Sequence, residues 1–309
     1  MTIQQLEYVA ALDLHRHFVK AANHCFVTQP TLTMQVQKLE EEIGITLFDR
    51  RKKPLQPTEA GVVVISKIKS ILLEINQLKD HVFNEKESMN GSYSIGIIPT
   101  IAPYLLPLFL LDFIQTYPET TLIIKELQTH QIIDELKKGT LDIGILATPL
   151  LEPTIKEIPL YYEPFLIYTS DNHPFDLSKP IQSDTLSTEK LLLLEEGHCF
   201  RSQALQLCKN TNQTENHLSF AFQSGSIEAL KGLVKKGLGY TLIPELAVNP
   251  EDNNYIHRFE SPQPSREISI VCHKGFAKEL LLEKLAENIK MNIPTQFQTT
   301  QNRKRITWK

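Results

Sequence analysis

The apolar positions change their period along the chain. In residues 1–57 they recur at helical spacing, separated by short punctuated connections. Residues 58–88 carry one long helical pattern without proline, ended by Asn90-Gly91. From Ser92 onward, β-rich runs alternate with helical segments, the order expected of an α/β fold. The pattern predicts strands at 93–98, 122–125, 143–146, 165–168, 191–194, 240–243 and 268–272. It predicts helices at 103–116, 130–138, 202–209, 227–236 and 277–291, with no internal repeat. Residues 296–309 are polar and basic and are expected to form a loose tail.

Two of these patterns point to chemistry. Residues 18–25 read as a short helix carrying the small pair Ala21-Ala22, followed by a tight Phe26-Val27 connection. Thr28 suits an N-cap and Pro30 the first turn of the next helix. There Leu32, Val36 and Leu39 fall at i, i+4 and i+7, a stripe to be buried. The opposite face presents Pro30, Thr31, Thr33, Met34, Gln37 and Lys38, whose hydroxyls, amide and cation suit base edges and phosphates in a major groove. Any helical hairpin can carry such a stripe, so DNA binding and plain packing both remain open at this point. In the 58–88 block, Gly61, Ile65, Ile68, Leu72, Ile75, Lys79 and Val82 alternate four and three apart, a heptad seam. It predicts a dimerising linker helix, the other reading being one amphipathic helix packed on its own domain.

Composition narrows the class. The chain has 309 residues, 41% of them hydrophobic and 22% charged, which suits two or three globular domains. The longest apolar stretch, 104–114, is broken by Pro107 and Asp112 and falls short of the ~20 residues of a membrane helix. The first residues lack a secretory pattern, so cytoplasmic residence without membrane attachment is expected. A net charge of −4 argues against a general nucleic-acid coat. Locally, residues 1–61 balance seven basic against seven acidic side chains, but four of the cations adjoin in Arg50-Arg51-Lys52-Lys53. That run suits a phosphate clamp or a solvated basic turn.

Four cysteines in so long a chain cannot form a disulfide scaffold. Cys25 and Cys272 read as small buried hydrophobes. Cys199 differs: it follows Glu195-Glu196-Gly197-His198 after the strand at 191–194, where a helix N-terminus can stabilise a thiolate, with His198 and Arg201 as cationic partners. A free thiol at pKa ~8.5 is about 3% thiolate at neutral pH, and one lowered to ~6 is about 90% thiolate. A lowered pKa is the expectation. Cys208 stands nine positions later. Across a helix that separation is about 13 Å along the axis, whereas a disulfide needs Cα atoms within ~7 Å, so direct bonding demands local unwinding. Two unrelated buried thiols remain the other reading.

The motif Ala21-Ala22, Val27-Thr28-Gln29-Pro30-Thr31-Leu32-Thr33, Leu39-Glu40, Gly44, Leu47-Phe48-Asp49-Arg50, Thr58-Glu59-Ala60-Gly61 resembles the winged helix-turn-helix of LysR-type transcriptional regulators. The resemblance implies an α+β multidomain chain. It would hold a winged helix-turn-helix DNA-binding domain (1–57, wing at 50–55), a linker helix (58–88), a two-lobed α/β effector domain like periplasmic binding proteins (92–295) and a flexible tail (296–309). Implied contacts to double-stranded promoter DNA are Gln29, Pro30, Thr31, Thr33, Met34, Gln37, Lys38, Arg50, Arg51 and Lys53. Implied partners are RNA polymerase and further copies of the chain as a dimer of dimers.

The runs Gly197-His198-Cys199-Phe200-Arg201 with Cys208, Ile98-Pro99-Thr100 with Pro103-Tyr104-Leu105-Leu106-Pro107, Gln128-Thr129-His130-Gln131, Gly237-Leu238-Gly239 with Leu242-Ile243-Pro244, and Arg266 resemble the redox centre of that family's peroxide-sensing branch. By that likeness Cys199 is the peroxidatic cysteine and Cys208 the resolving one. Thr100, Thr129, His198 and Arg266 would surround hydrogen peroxide, and the resulting disulfide would change DNA binding and the expression of antioxidant genes. A thioredoxin- or glutathione-dependent reductant would reset the switch. One departure is Ser202, where that branch is expected to carry Asp. The resemblance implies neither cofactor nor metal and no enzymatic turnover. The competing readings are a regulator controlled by a small organic ligand in the interlobe cleft and a thiol enzyme consuming peroxide. A solute-binding protein is disfavoured by the helix-turn-helix.

Overall fold

The computed structural model describes residues 1–83, 89–170, 180–182, 185–188, 190–208, 224–298 and 302–307. The chain divides into two compact units, one built on Met1–Glu87 and one on Ser88–Leu136 and Leu141–Lys309.

In the first unit, α1 (Ile3–His15) opens with a capping box between Thr2 and Gln5. The short α2 (Phe18–His24) leads to α3 (Gln29–Ile43), where the Thr28 hydroxyl accepts the Thr31 N–H at 3.4 Å and Pro30 sits in the first turn. Gly44 ends α3 with φ at +70°, a left-handed conformation that favours glycine. The predicted stripe of Leu32, Val36 and Leu39 is buried against Ala21, Ala22, Leu6, Val9 and Leu12. Strands β1 (Phe48–Asp49) and β2 (Gln56–Pro57) pair antiparallel and form the wing.

The long α4 (Glu59–Phe83) follows, capped by Thr58, whose hydroxyl accepts the Gly61 N–H at 2.9 Å. A Cβ at Gly61 would lie 2.1 Å from the Leu47 carbonyl oxygen, so the close approach of helix to wing base requires glycine. The first half of the heptad seam is turned inward. Ile65 and Ile68 are buried with the α1 residues, Leu72 packs partly behind them, and Lys69 pairs with Asp13 at 2.6 Å. That half therefore follows the second reading, a helix packed on its own domain. Farther along, Ile75 is half-buried and Lys79 exposed, and the Val82 side chain lies outside the described residues.

The second unit is a mixed sheet covered by helices. Its strands are β3 (Gly91–Ile97), β4 (Thr120–Glu126), β5 (Ile143–Thr148), β6 (Ile155–Thr169), β7 (Leu191–Leu192), β8 (Tyr240–Pro244), β9 (Ile256–Arg258), β10 (Gln263–His273) and β11 (Arg303–Arg305). The order is β4-β3-β5-β10-β6-β8-β7, with β11 on β10 and β9 on β6. The helices are α5 (Ala102–Thr116), α6 (Thr129–Lys138), α7 (Cys199–Gln206), α8 (Ile227–Lys235) and α9 (Glu279–Asn292). Two hydrophobic cores form. One gathers β3, β5, α5, α6 and α9; the other gathers β8, α7 and α8. Strand β6 runs through both, with Tyr161 in the first core and Phe165–Tyr168 in the second, while β10 contributes Ile268, Ile270, Val271 and Cys272 to the first. The result is a two-lobed α/β domain. No described helix is long and apolar enough to cross a membrane.

Three expectations are corrected here. The strand expected at 165–168 is a 15-residue ribbon, because its apolar run continues across both lobes. Helix α7 begins at Cys199 rather than 202. The described part of the tail is not loose: Phe297 is buried and stacked on Tyr161 at 6.2 Å, β11 pairs in parallel with β10, and the buried Ile306 donates its N–H to Ser265 O at 2.8 Å. Two apolar side chains and an open strand edge outweigh the polar composition of that stretch.

Candidate functional site

Strand β7 runs into a turn whose Gly197 has φ at +94°, and a Cβ there would lie 2.4 Å from the Gln128 side-chain oxygen. The turn delivers Cys199 as the first residue of α7, 4% exposed. Side chains from α6 and β10 act on it. From α6 comes the Thr129 hydroxyl, which faces the sulfur, is buried and bonds no nitrogen or oxygen. From β10 comes Arg266, 1% exposed. Its Nη1 donates to Thr100 Oγ1 at 2.9 Å and its Nη2 to Thr100 O at 3.0 Å. Its Nε donates to Glu163 Oε2 at 2.9 Å, and its planar group lies 5.0 Å over the Phe200 ring. Glu163, on β6, is buried and accepts the Leu246 N–H at 3.0 Å.

These contacts set the thiol's acidity. Burial pushes the Cys199 pKa up; the Arg266 charge, the Thr129 hydroxyl and the N–H groups of Phe200 and Cys199 pull it back without overcoming burial. The expected lowering is therefore corrected: the helix start and the cation are present, but the sulfur is too deeply enclosed for them to prevail.

The other expected residues separate. His198 is buried, with Nε2 at 3.5 Å from Glu195 Oε1, and it lines a cleft of about 510 Å³ together with Gln128, Gln131, Ser226 and Glu228. Arg201, expected beside the thiol, instead donates to Leu194 O at 2.9 Å, and Ser202 is exposed. Cys208 lies just past α7 in the second lobe's core, its Sγ donating to Ala204 O at 3.5 Å, and burial pushes its pKa up to about 11. Cys199 belongs to the first lobe's core, and both thiols are free. Between them α7 spans ~12 Å at 1.5 Å per residue. Cys25 is half-buried and Cys272 buried, and both are free thiols. Glu163 was missed by the sequence reading; a lone carboxylate inside the apolar run of β6 was the available signal.

In the first unit, Gln29, Pro30, Met34, Gln37 and Lys38 are exposed along α3, with Thr31 and Thr33 half-exposed. The basic run divides. Arg51 and Lys53 are exposed, and Lys52 reaches Gln56 Oε1 at 3.1 Å. Arg50 pairs with the buried Glu40 at 2.8 Å, and Glu40 also accepts the N–H groups of Leu47 at 2.6 Å and Phe48 at 3.2 Å. Arg50 thus ties α3 to the base of the wing while remaining exposed.

Comparison with known proteins extends this geometry. The family model for the LysR substrate binding domain matches residues 86–292, and that for the bacterial regulatory helix-turn-helix protein, lysR family, matches residues 3–62. The chain is 38% identical over 300 residues to the DNA-binding transcriptional dual regulator OxyR of Escherichia coli (strain K12), covering 96% of this chain and 97% of that protein. A full-length OxyR variant from Pseudomonas aeruginosa superposes with a TM-score of 0.81 at 31% identity, covering 97% of this chain and 98% of that one. A mutant OxyR of Corynebacterium glutamicum, H2O2-bound, gives a TM-score of 0.59 at 28% identity, covering 94% of this chain and 92% of that one.

Proposed function

Because this chain belongs to the LysR family, and within it to the OxyR regulators, we propose that it is a DNA-binding transcription activator switched by hydrogen peroxide at Cys199. The observation that carries this reading is the enclosed thiol, met by the Thr129 hydroxyl and by the charge of Arg266, which also holds Thr100.

A peroxide molecule is small enough to enter such a site on brief local opening. Thr100 Oγ1 already accepts from Arg266, so its own proton is free to be donated to an oxidant oxygen; the Thr129 hydroxyl, which meets the sulfur, keeps its oxygen lone pairs for a second bond. Arg266 stabilises the sulfur anion and the charge that develops on the leaving oxygen. The thiolate attacks one peroxide oxygen, the O–O bond breaks, and the departing hydroxide takes a proton to leave as water, giving a sulfenic acid at Cys199. The Cys208 thiol then condenses with it, forming an S–S bond and a second water.

Closing a loop of about ten residues supplies only ~2–3 kcal/mol, whereas inverting a two-state equilibrium requires ~5.5 kcal/mol. The larger share comes from the fold. The two sulfurs start in different cores at the two ends of α7, so joining them unwinds that helix and empties one core position. The refolded segment alters how effector domains pair within a dimer of dimers. The linker helices then reset the spacing of the α3 recognition helices on promoter DNA in the cytosol, where RNA polymerase is recruited. A thioredoxin- or glutathione-type dithiol reduces the bond and returns the resting state.

Brief treatment with sub-stoichiometric peroxide, followed by peptide mass mapping, is expected to yield an intramolecular 199–208 linkage, and Cys199→Ala is expected to abolish the peroxide-dependent change in DNA footprint. A footprint in Cys199→Ala that still responds to peroxide refutes the reading. The cleft of about 510 Å³ supports a second one, control by a small organic ligand; that reading requires Cys199→Ala to keep an effector response.

A further inference from the structure

Glu163 takes no direct part in the chemistry above, yet it is bonded to the group that does. It stands directly opposite Arg266 in the β6–β10 ladder, and both side chains are 1% exposed. Two guanidinium nitrogens grip one of its oxygens, Nε at 2.9 Å and Nη2 at 2.8 Å. The other oxygen is pinned by the Leu246 N–H at 3.0 Å. With both oxygens committed, the carboxylate cannot swing, and the guanidinium is left one orientation. In it, Nη1 and Nη2 reach Thr100 and the planar face covers Phe200, the residue after Cys199.

We propose that Glu163 is a positioning residue for the sensor thiol: it aims Arg266 at the Thr100–Cys199 side of the pocket and cancels part of the positive charge that reaches the sulfur. The proposal rests on the reading of Cys199 as the sensor. A buried guanidinium without a counter-charge would be costly to the fold and would leave Cys199 more ionised at rest. Paired with Glu163, its pull on the sulfur is weaker and burial prevails.

The surroundings contain few other charges. Glu163 is faced by Arg266, by Tyr161 of its own strand, by Tyr104 of α5 and by Glu245 after β8. Cys199 is faced by Arg266 and by the Thr129 hydroxyl, and its neighbour His198 pairs with Glu195.

A purely structural ion pair would change stability and leave the thiol's titration alone, so the titration is the test. In the full-length reduced chain, alkylation of Cys199 by iodoacetamide is followed across pH by mass spectrometry of its peptide. Glu163→Gln keeps an acceptor for Arg266 and removes the charge; its alkylation midpoint is expected about one pH unit lower, ~tenfold more thiolate at a fixed pH below the midpoint. Glu163→Asp returns the midpoint toward the parent value. A midpoint that stays or rises in Glu163→Gln overturns the proposal. Should Glu163→Gln not fold, Arg266→Gln is compared with the double variant Arg266→Gln/Glu163→Gln: removing the carboxylate must lower the midpoint, and equal midpoints overturn the proposal. Iodoacetamide is not a peroxide, so the two readings fail separately. A parent Cys199 inert to peroxide refutes the sensor, while the midpoints still decide the role of Glu163.

Discussion

Arg50 and Arg51 adjoin in the chain, yet the fold spends their charges differently. Arg50 is tied to Glu40, which also holds the wing's backbone through two N–H groups, whereas Arg51 stands exposed. Arg51→Ala is expected to lower the slope of log affinity against log salt by about one, without a change in melting temperature. Arg50→Ala is expected to do the reverse: the slope is kept, and about 1 kcal/mol or less of stability is lost, since the pair is partly solvated. Anisotropy titrations on a promoter duplex at several salt concentrations, with thermal melts, decide this; equal slope losses would put Arg50 back on the DNA. Asp252 is a second residue whose partners set its behaviour. Burial pushes its carboxyl up, but hydrogen bonds from Lys231, Tyr168, the Asn249 N–H and Lys235 hold it well below the usual carboxylate range. Lys231 lies at 2.6 Å and Lys235 at 3.1 Å. A pKa lower in the folded than in the unfolded chain means the stabilisation is full above the unfolded value of ~4 and fades as pH falls from there toward the folded value. Asp252→Asn is therefore expected to cost about 2–3 kcal/mol at neutral pH, because it leaves the buried Lys231 only the Ala247 carbonyl and the more exposed Glu228 as partners. The gap to the parent chain should narrow below about pH 4 in urea unfolding; a pH-independent gap would remove charge as the cause.

At the scale of elements, the strand β11 is tied to α7. The buried Gln203 of α7 donates to Ile306 O at 3.0 Å, and Arg305 pairs with the buried Glu267 at 2.8 Å. A chain ended after Gln298 loses those bonds, the β11–β10 pairing and the burial of Ile306. About 2–4 kcal/mol of stability in the second unit is expected to go with them, seen as a fall of several degrees in its melting temperature; an unchanged melt would mean the strap is ornamental. Two helices show how much hydrophobic period leaves unsaid. The heptad seam of α4 reports only that one face is apolar, and Ile65 and Ile68 found their partners in α1 of the same chain. Val62, Val63, Ile71 and Leu78 of the same helix stay exposed. In α7, the turn at Gly197 lets the helix start at the cysteine itself, a matter of backbone conformation that hydrophobic period does not encode.

For the whole molecule, local pattern was a sound guide to what each segment becomes and a poor one to what it meets. The hairpin of α2 and α3, the Thr28 cap, the Leu32–Val36–Leu39 stripe and the alternation of strands and helices after Ser92 all follow from periodicity and capping, which act within a few residues. The importance of Cys199 was also legible, from a strand, a glycine turn and a helix start. Its acidity was not, because burial depends on how many distant atoms close over the sulfur, and here that exceeds the pull of the helix and Arg266. Glu163 and Arg266 lie 103 residues apart and become neighbours only when β6 and β10 pair in register. The order of elements and the placing of Cys199 at a helix start were thus decided by the sequence alone, since both arise from short-range spacing and side-chain type. Which charge opposes which, how deep each thiol lies and which apolar face stays open were decided by tertiary packing, because electrostatics and desolvation act through space and take no account of chain separation.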